Sequence, residues 1–145
     1  MIQVDIKDFD KLKGILERNF VACKVTDRTS FEYVKANATI LAPSNSIGIW
    51  VDNLEDPHAI LVVTGGKFGV LNEDFAFVNT IYVDPDHHSG GLVQSMIDTA
   101  KLWGKSRNAQ ILQVSDWVYR GEKSKGALWA SLGFEKQETL FIQQL

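Results

Sequence analysis

The periodicity of apolar positions changes from helical to strand-like along the chain. Apolar residues recur at helical spacing over residues 7–20, where Asp8 is the predicted N-cap, and again in a shorter helix capped by Thr29 or Ser30. A short alternating stretch, residues 2–6, precedes both helices and predicts a strand. The chain therefore opens with one strand and two helices.

The middle of the chain is rich in β-branched and aromatic residues, which favour strands. The predicted strands are SIGIWVDN, HAILVVTGGKFGV and FAFVNTIYV, and the segments with turn composition are LEDP, TGGK and LNED. This pattern is typical of an antiparallel meander. An amphipathic helix from Gly91 to Lys105 follows it, with one apolar face that has to pack on the sheet.

Beyond that helix, AQILQVSDW predicts another strand. Because a helix separates it from FAFVNTIYV, the two strands are expected to be parallel neighbours joined by a right-handed crossover. A last helix ending at Gly133 and a C-terminal strand or hairpin complete the order β α α β β β α β α β. This order predicts an α/β or α+β sandwich of helices on a mixed sheet.

Length and composition narrow the class of protein. The 145 residues suit a single domain, residues 1–145, and a net charge of −3 gives no basic surface for nucleic acid. The single cysteine excludes an internal disulfide and fits a reducing compartment. The longest apolar run, AILVV, is far shorter than a membrane span, and the first residues lack a signal-peptide pattern. We therefore expect a cytoplasmic protein that binds neither nucleic acid nor membrane.

The clearest candidate chemistry lies where the third meander strand meets the amphipathic helix. Pro85 cannot continue a strand, and Ser89, Gly90 and Gly91 then open the helix. Glycines let the backbone approach a ligand closely, and the free N–H groups of a first helical turn bind anions. The segment therefore predicts a pyrophosphate site, and a flexible helix cap is the alternative. Its glycine spacing fits neither a P-loop nor the dinucleotide-binding fingerprint.

The run IYVDPDHHSGGLVQSMI resembles the acyl-CoA-binding signature of the GNAT superfamily of N-acetyltransferases. In that signature, a strand ending near Val-x-Pro is followed by Arg/Gln-x-x-Gly-x-Gly/Ala at a helix start. His88 falls at the Arg/Gln place, Gly91 at the central glycine and Val93 at the last small residue, so two of the three places depart. A second run, ALWASLGF, resembles the family's late helix, with Trp129 where the family has a tyrosine.

The resemblance covers nearly the whole chain and implies both a fold and an activity. The implied fold is a GNAT-like mixed, mostly antiparallel sheet flanked by helices, with a central parallel strand pair splayed at the cofactor site. The implied activity is direct transfer of an acyl group, expected to be acetyl, from acetyl-CoA to a primary amine on a small molecule, peptide or protein. The backbone of Ile81, Tyr82 and Val83 would bond the pantetheine arm. The implied pyrophosphate-binding residues are His88, Ser89, Gly90, Gly91, Leu92 and Val93.

The residues for proton transfer are open at this point. Trp129 cannot act as an acid, so it is expected to pack against the cofactor or the core, and Tyr119 is the candidate that protonates the leaving thiolate. Covering apolar surface is the alternative for Tyr119. Nothing ionises at residues 77–79, where some members of the family carry a carboxylate, so Asp116 is the candidate general base and a capping residue otherwise. His58 is interpreted as a surface residue.

Other hypotheses accompany the enzyme. The fold is also compatible with a binding or interaction module that holds CoA without turnover, or with a structural domain whose cleft is filled. The run DPDHH offers possible metal ligands, but adjacent histidines usually point apart and no second cluster completes a tetrahedral site, so no metal is expected. The apolar C-terminal run TLFIQQL is a candidate edge for a homodimer.

Overall fold

A computed structural model describes residues 1–68, 73–116, 123–137 and 143. Contacts within the chain divide it into two compact units, residues 1–115 and 116–145. The elements of the first unit are β1 (Ile2–Gln3), a 3-10 segment (Ile6–Leu12), α1 (Lys13–Ala22), α2 (Phe31–Leu41), β2 (Ile47–Val51), β3 (Ala59–Phe68), β4 (Glu73–Val83), α3 (Leu92–Ser106) and β5 (Ile111–Val114). The second unit contains α4 (Gly126–Ser131). The single domain over 1–145 stays a prediction.

The described strands form one sheet in the order β1-β2-β3-β4-β5. Every neighbouring pair is antiparallel except β4 and β5, which are parallel, so the predicted crossover through α3 is confirmed. Strands β3 and β4 slip in register between Val62 and Val63: Val62 pairs with Thr80, whereas Val63 pairs with Val78. Asn79 is therefore an extra residue in β4, a β-bulge.

Helices cover the two faces of this sheet. On one face, α1, α2 and the 3-10 segment pack on alternate residues of β2 and β3, in a buried cluster that contains Phe9, Leu12, Ile15, Leu16, Phe20, Phe31, Ile49, Val51, Ile60 and Val62. The other face carries α3, whose Met96, Ile97 and Ala100 are fully buried. The apolar face predicted for this helix thus forms the second half of the core.

Two local predictions at the start of the chain have different outcomes. Asp8 does not cap a helix: the 3-10 segment begins after Asp5, whose carboxylate accepts the amide hydrogen of Lys7 at 3.0 Å. Asp5 directly precedes the first residue of the segment and has an extended backbone, which is the position from which a carboxylate reaches the free amides of a first turn. Ser30 does cap α2, with its hydroxyl accepting from the Tyr33 amide at 3.2 Å.

The run TGGK has turn composition but also lies within the predicted strand HAILVVTGGKFGV, and the structure places it inside β3. Its first glycine, Gly65, is needed for packing rather than for chain reversal. A side chain there would meet Arg107 Nε at 3.1 Å and the Trp103 ring at 3.2 Å. The end of α3 therefore sits close over β3 because this position lacks a Cβ.

The second unit is described only in part. Helix α4 ends before Gly133, whose φ of 88° is the left-handed conformation that ends many helices, as predicted. Trp129 is buried, and its ring meets Phe134 edge-on with centroids 6.0 Å apart. The predicted C-terminal strand, including TLFIQQL, falls largely outside the described residues.

Candidate functional site

Strands β4 and β5 pair only over part of their length. The pairing runs from Phe75 with Ile111 to Val78 with Val114, and β4 continues beyond it to Val83. Among the described strands, none pairs with that side of β4 over residues 79–83. The Asn79 bulge directly follows the last residue of β4 that pairs with β5. In the described residues, β4 thus extends beyond its parallel partner and leaves a backbone edge to which an extended ligand can bond.

The first turn of α3 offers unbonded amides beside that edge. Gly91 is the N-cap with φ 82°, and a side chain built at Gly90 or Gly91 would meet nothing within 4 Å. No described backbone carbonyl accepts from the N–H groups of Gly90, Gly91 or Val93. With the positive end of a 15-residue helix behind them, these amides suit an anion. The fit to a diphosphate therefore rests on open space and available donors.

His88 uses its side chain locally. Its Nε2 lies 3.1 Å from the carbonyl oxygen of Val83. Because a carbonyl only accepts, Nε2 carries the proton in this contact. The residue at the family's Arg/Gln place thus holds the end of β4, and the Val83 carbonyl already has a partner.

Asp84, the residue after β4, is a buried carboxylate that the sequence did not identify as functional. Arg18 of α1 donates to it twice, Nε to Oδ1 at 2.9 Å and Nη2 to Oδ2 at 2.8 Å. His58 Nδ1 lies 2.9 Å from Oδ2 of the same carboxylate. The Arg18 guanidinium, followed by the His58 and Tyr82 hydrogen bonds, holds the pKa of Asp84 well below its usual range despite the opposing effect of burial.

His58, interpreted from the sequence as a surface residue, has a partly buried side chain that belongs to this network. The Asp84 carboxylate, and secondarily Asp56 at 3.1 Å from Nε2, raise the pKa of His58 above its usual value. Its ring also stacks on that of His87, with centroids 3.6 Å apart and planes 4° from parallel. The two adjacent histidines do point to different partners, as predicted, since His88 turns to Val83.

Donor atoms of His58, Asp84 and His87 lie within 4.8 Å of one another, which raises the question of a metal. The lone pairs of imidazole lie in the ring plane, so two parallel stacked rings direct them side by side rather than towards one ion. Both Asp84 oxygens already accept from Arg18. The arrangement of these three residues therefore does not fit a metal site.

The candidates for proton transfer lie in the second unit. Tyr119 falls outside the described residues. Asp116 accepts from the Ser124 hydroxyl and, at 2.8 Å, from the Lys125 amide, and the Ser124 contact is the main cause that lowers the pKa of the Asp116 carboxyl. Both partners precede the first residue of α4, so Asp116 fixes the turn that leads into this helix, which agrees with a loop-capping role rather than with a free base. Trp129 is buried, and no described residue accepts a hydrogen bond of standard geometry from its indole nitrogen, although this N–H is near enough to Asp116 to help lower the pKa of that carboxyl.

The bulged β4, the parallel β4–β5 pair and the crossover through α3 form the GNAT-like α/β fold that the sequence motifs predicted, and the splaying of the pair stays a prediction. No protein-family model matches the sequence, and no curated protein matches it. A predicted acetyltransferase from Clostridium acetobutylicum, solved with acetyl-CoA, superposes with a TM-score of 0.79 at 15% identity, over 98% of this chain and 93% of that one. An aminoglycoside N-acetyltransferase solved with CoA gives 0.77 at 12% identity, over 99% and 92%.

A third solved structure, glucosamine-6-phosphate N-acetyltransferase from Arabidopsis thaliana, has a TM-score of 0.70 at 14% identity, covering 98% of this chain and 95% of that one. At such identities the likeness establishes the fold alone. None of the helices in the described ranges has the length and apolar character that crossing a membrane requires.

Proposed function

We propose that this protein transfers an acetyl group from acetyl-CoA directly to a primary amine. The observation that carries the proposal is the continuity of two features: the free edge of β4 over residues 79–83 leads to the unbonded amides that open α3. An extended thiol arm and a diphosphate, joined as in CoA, match these two features in order. Similar solved structures hold acetyl-CoA or CoA, which supports this choice of co-substrate.

The proposed binding mode assigns roles to backbone groups. The pantetheine arm bonds the free edge at Ile81 and at the N–H of Val83, whose carbonyl is already engaged by His88. The backbone groups of Tyr82 face Ile60 of β3, because Asp84 N–H bonds the His58 carbonyl and successive residues alternate sides, so Tyr82 is not part of this contact. The diphosphate lies at residues 88–93, including Ser89, where the α3 dipole is favourable. Its amide donors are Gly90, Gly91 and Val93, because the Leu92 amide already donates to the Ser89 carbonyl at 3.3 Å. Trp129 is proposed to pack against the coenzyme or the core.

The chemistry requires attack of a neutral amine on the thioester carbonyl carbon, followed by cleavage of the carbon–sulfur bond. The amine loses a proton and the departing thiolate gains one. Backbone N–H groups of β4 near the Asn79 bulge are the proposed donors that polarise the carbonyl. Asp116 as the general base and Tyr119 as the acid stay predictions, and the capping contacts of Asp116 favour another route for the amine proton, such as water.

The acceptor is proposed to be an amine-bearing small molecule, peptide or protein. Aminoglycoside and glucosamine-6-phosphate N-acetyltransferases are among the similar structures, and both names describe amine acetylation. A cytoplasmic location and a homodimer remain predictions from the sequence. Light scattering on the purified chain measures the oligomeric state.

The test combines binding and turnover. Calorimetry with CoA comes first, followed by thiol release from acetyl-CoA over a panel of amines, polyamines and peptides. Gly91→Glu, which places a carboxylate at the amides, is expected to abolish CoA binding. Binding without transfer to any amine supports a non-catalytic CoA module instead, and absence of CoA binding by the wild type contradicts the proposal.

A further inference from the structure

Asp84 stands at the junction between β4 and the segment that leads to α3. It is 8% exposed, and its backbone is fixed on both sides. Its N–H donates to the His58 carbonyl at 2.8 Å, and its own carbonyl accepts from the His87 amide at 2.9 Å. The first turn of the candidate diphosphate-binding segment, residues 85–93, is therefore built directly on this residue.

The carboxylate of Asp84 is held from two other elements. Arg18 reaches it from α1 in a two-point contact and also donates to the Pro57 carbonyl at 2.7 Å. His58 reaches it from the start of β3. Replacing a buried ion pair by apolar residues often leaves stability unchanged. We therefore look for the role of this network in the orientation that it gives to the backbone after Asp84.

The anchoring continues along the segment and stops where the free amides begin. His87 stacks on His58, and His88 bonds the Val83 carbonyl. From Gly90 onwards the surface is open, since side chains built at Gly90 and Gly91 would touch nothing. The contacts of His87 and His88 thus fix the backbone just before the free amides at the start of α3.

We propose that Asp84, held by Arg18 and His58, is the positioning residue of the diphosphate-binding segment and orders it before the coenzyme arrives. This inference rests on the proposed function, because it requires a coenzyme diphosphate at residues 88–93, the second part of this segment. Ordering a segment in advance lowers the cost of binding. Asp84→Asn is therefore expected to weaken CoA binding about tenfold. Pantetheine, which lacks the diphosphate, is expected to bind the variant as it binds the wild type.

The pH dependence of binding gives a second readout. As the pH rises through the raised pKa of His58, the ring loses its charge and the Asp84 carboxylate loses one cationic donor. CoA affinity is expected to fall over that range in the wild type, and this step is expected to be absent from His58→Gln. The titratable and charged groups around the His58 ring are Asp56, Asp84, Arg18, Tyr82 and His87.

The experiment is calorimetric titration of CoA and of pantetheine into the wild type, Asp84→Asn, His58→Gln and the control Asp10→Asn. Asp10 forms an exposed ion pair with Lys35 at 2.6 Å, away from the segment, so its variant is expected to bind CoA normally. A loss specific to CoA supports the positioning role. If Asp84→Asn fails to fold, the pH dependence of CoA affinity is compared between the wild type and His58→Gln. A step that occurs in the wild type and is absent from His58→Gln supports the positioning role, and the same step in both contradicts it.

Three results overturn the inference. Equal loss of CoA and pantetheine affinity in Asp84→Asn indicates a general disturbance of the fold. Unchanged CoA affinity in Asp84→Asn and His58→Gln, with normal binding by the wild type, contradicts the positioning role alone. Failure of the wild type to bind CoA contradicts both this inference and the proposed function.

Discussion

The guanidinium of Arg18 and the carboxylate of Asp84, 66 residues apart in the chain, meet through two hydrogen bonds of 2.9 and 2.8 Å. This pair ties α1 to the end of β4. The Asp84 side chain is only 11% exposed, so water could not fully replace the two Arg18 donors if they were removed. The contact therefore has consequences for stability as well as for the site.

Arg18→Gln is expected to lower the free energy of unfolding by about 1–2 kcal/mol, because it leaves a largely buried carboxylate short of donors. The value lies near the low end for charged hydrogen bonds since the Arg18 side chain is 44% exposed. Urea denaturation measures it. The matched control is Lys35→Gln, which breaks the exposed pair with Asp10 and is expected to cost less than about 0.5 kcal/mol. Equal losses for the two variants contradict the prediction.

The charge on His58 gives stability a defined pH dependence. Its pKa is raised above 6.5 in the folded protein, so its contribution is complete below pH 6.5 and is lost as the pH rises through the raised value. The difference in unfolding free energy between the wild type and His58→Gln is expected to shrink as the pH rises through this raised pKa. Asp84 acts in the opposite direction: its contribution is present above pH 3.8 and is lost as the pH falls through its lowered pKa. A stability difference that is constant with pH contradicts the role of His58.

The sequence predicted those features whose signals are local. The parallel β4–β5 pair followed from one amphipathic helix between two strands, and the N-terminus of α3 followed from adjacent glycines at the start of that helix. In both cases the signal itself lies in one continuous stretch of sequence: the periodicity of a strand–helix–strand run, or two adjacent glycines. Periodicity and glycine placement are sufficient for such features.

The Asp84 network was missed because its contacts are distant in sequence. His58 lies 26 residues from Asp84, and Arg18 lies 66 residues away. Which charged residue of α1 reaches the end of β4 depends on how the helix lies on the sheet, and no periodicity encodes that. The bulge at Asn79 likewise arises from a register slip between two strands, which neither strand shows alone.

The backbone at Gly91 yields a prediction that is independent of any ligand. Its φ of 82° is unfavourable for a residue with a Cβ, so Gly91→Ala is expected to lower the free energy of unfolding by about 1–2 kcal/mol. Gly90→Ala is the matched control, because no positive φ occurs there and a Cβ would meet nothing within 4 Å. Its effect is expected to be neutral or slightly stabilising. Thermal or urea unfolding of both variants compares them, and equal costs rule out the strained conformation at Gly91.

At Gly48 in β2, the lack of space beside α3, and not the backbone φ, prevents a larger residue from being accommodated. A Cβ at Gly48 would collide with the Trp50 ring and lie 2.9 Å from Trp103 Nε1. Gly48→Ala is therefore expected to cost about 1–3 kcal/mol, as overpacked cores do. Trp50 and Trp103 meet edge-on at 6.2 Å, so near-ultraviolet circular dichroism is expected to change with the variant. Gly90→Ala again serves as the control, and an unaltered spectrum with full stability contradicts the prediction.

A structural role of Asp116 can be distinguished from a role as general base by comparing Asp116→Ala with Ser124→Ala, the variant of its hydrogen-bond donor. Ser124 donates to Asp116 and accepts from the Gly126 amide at 3.0 Å, so both residues order the turn that leads into α4. A carboxylate whose pKa is lowered is a weak proton acceptor. We therefore expect Asp116→Ala and Ser124→Ala each to cost about 1 kcal/mol of stability and to leave the pH profile of kcat/KM in place. A fall of about a hundredfold or more in kcat for Asp116→Ala alone would instead identify it as the base, since that is the usual size of general-base catalysis.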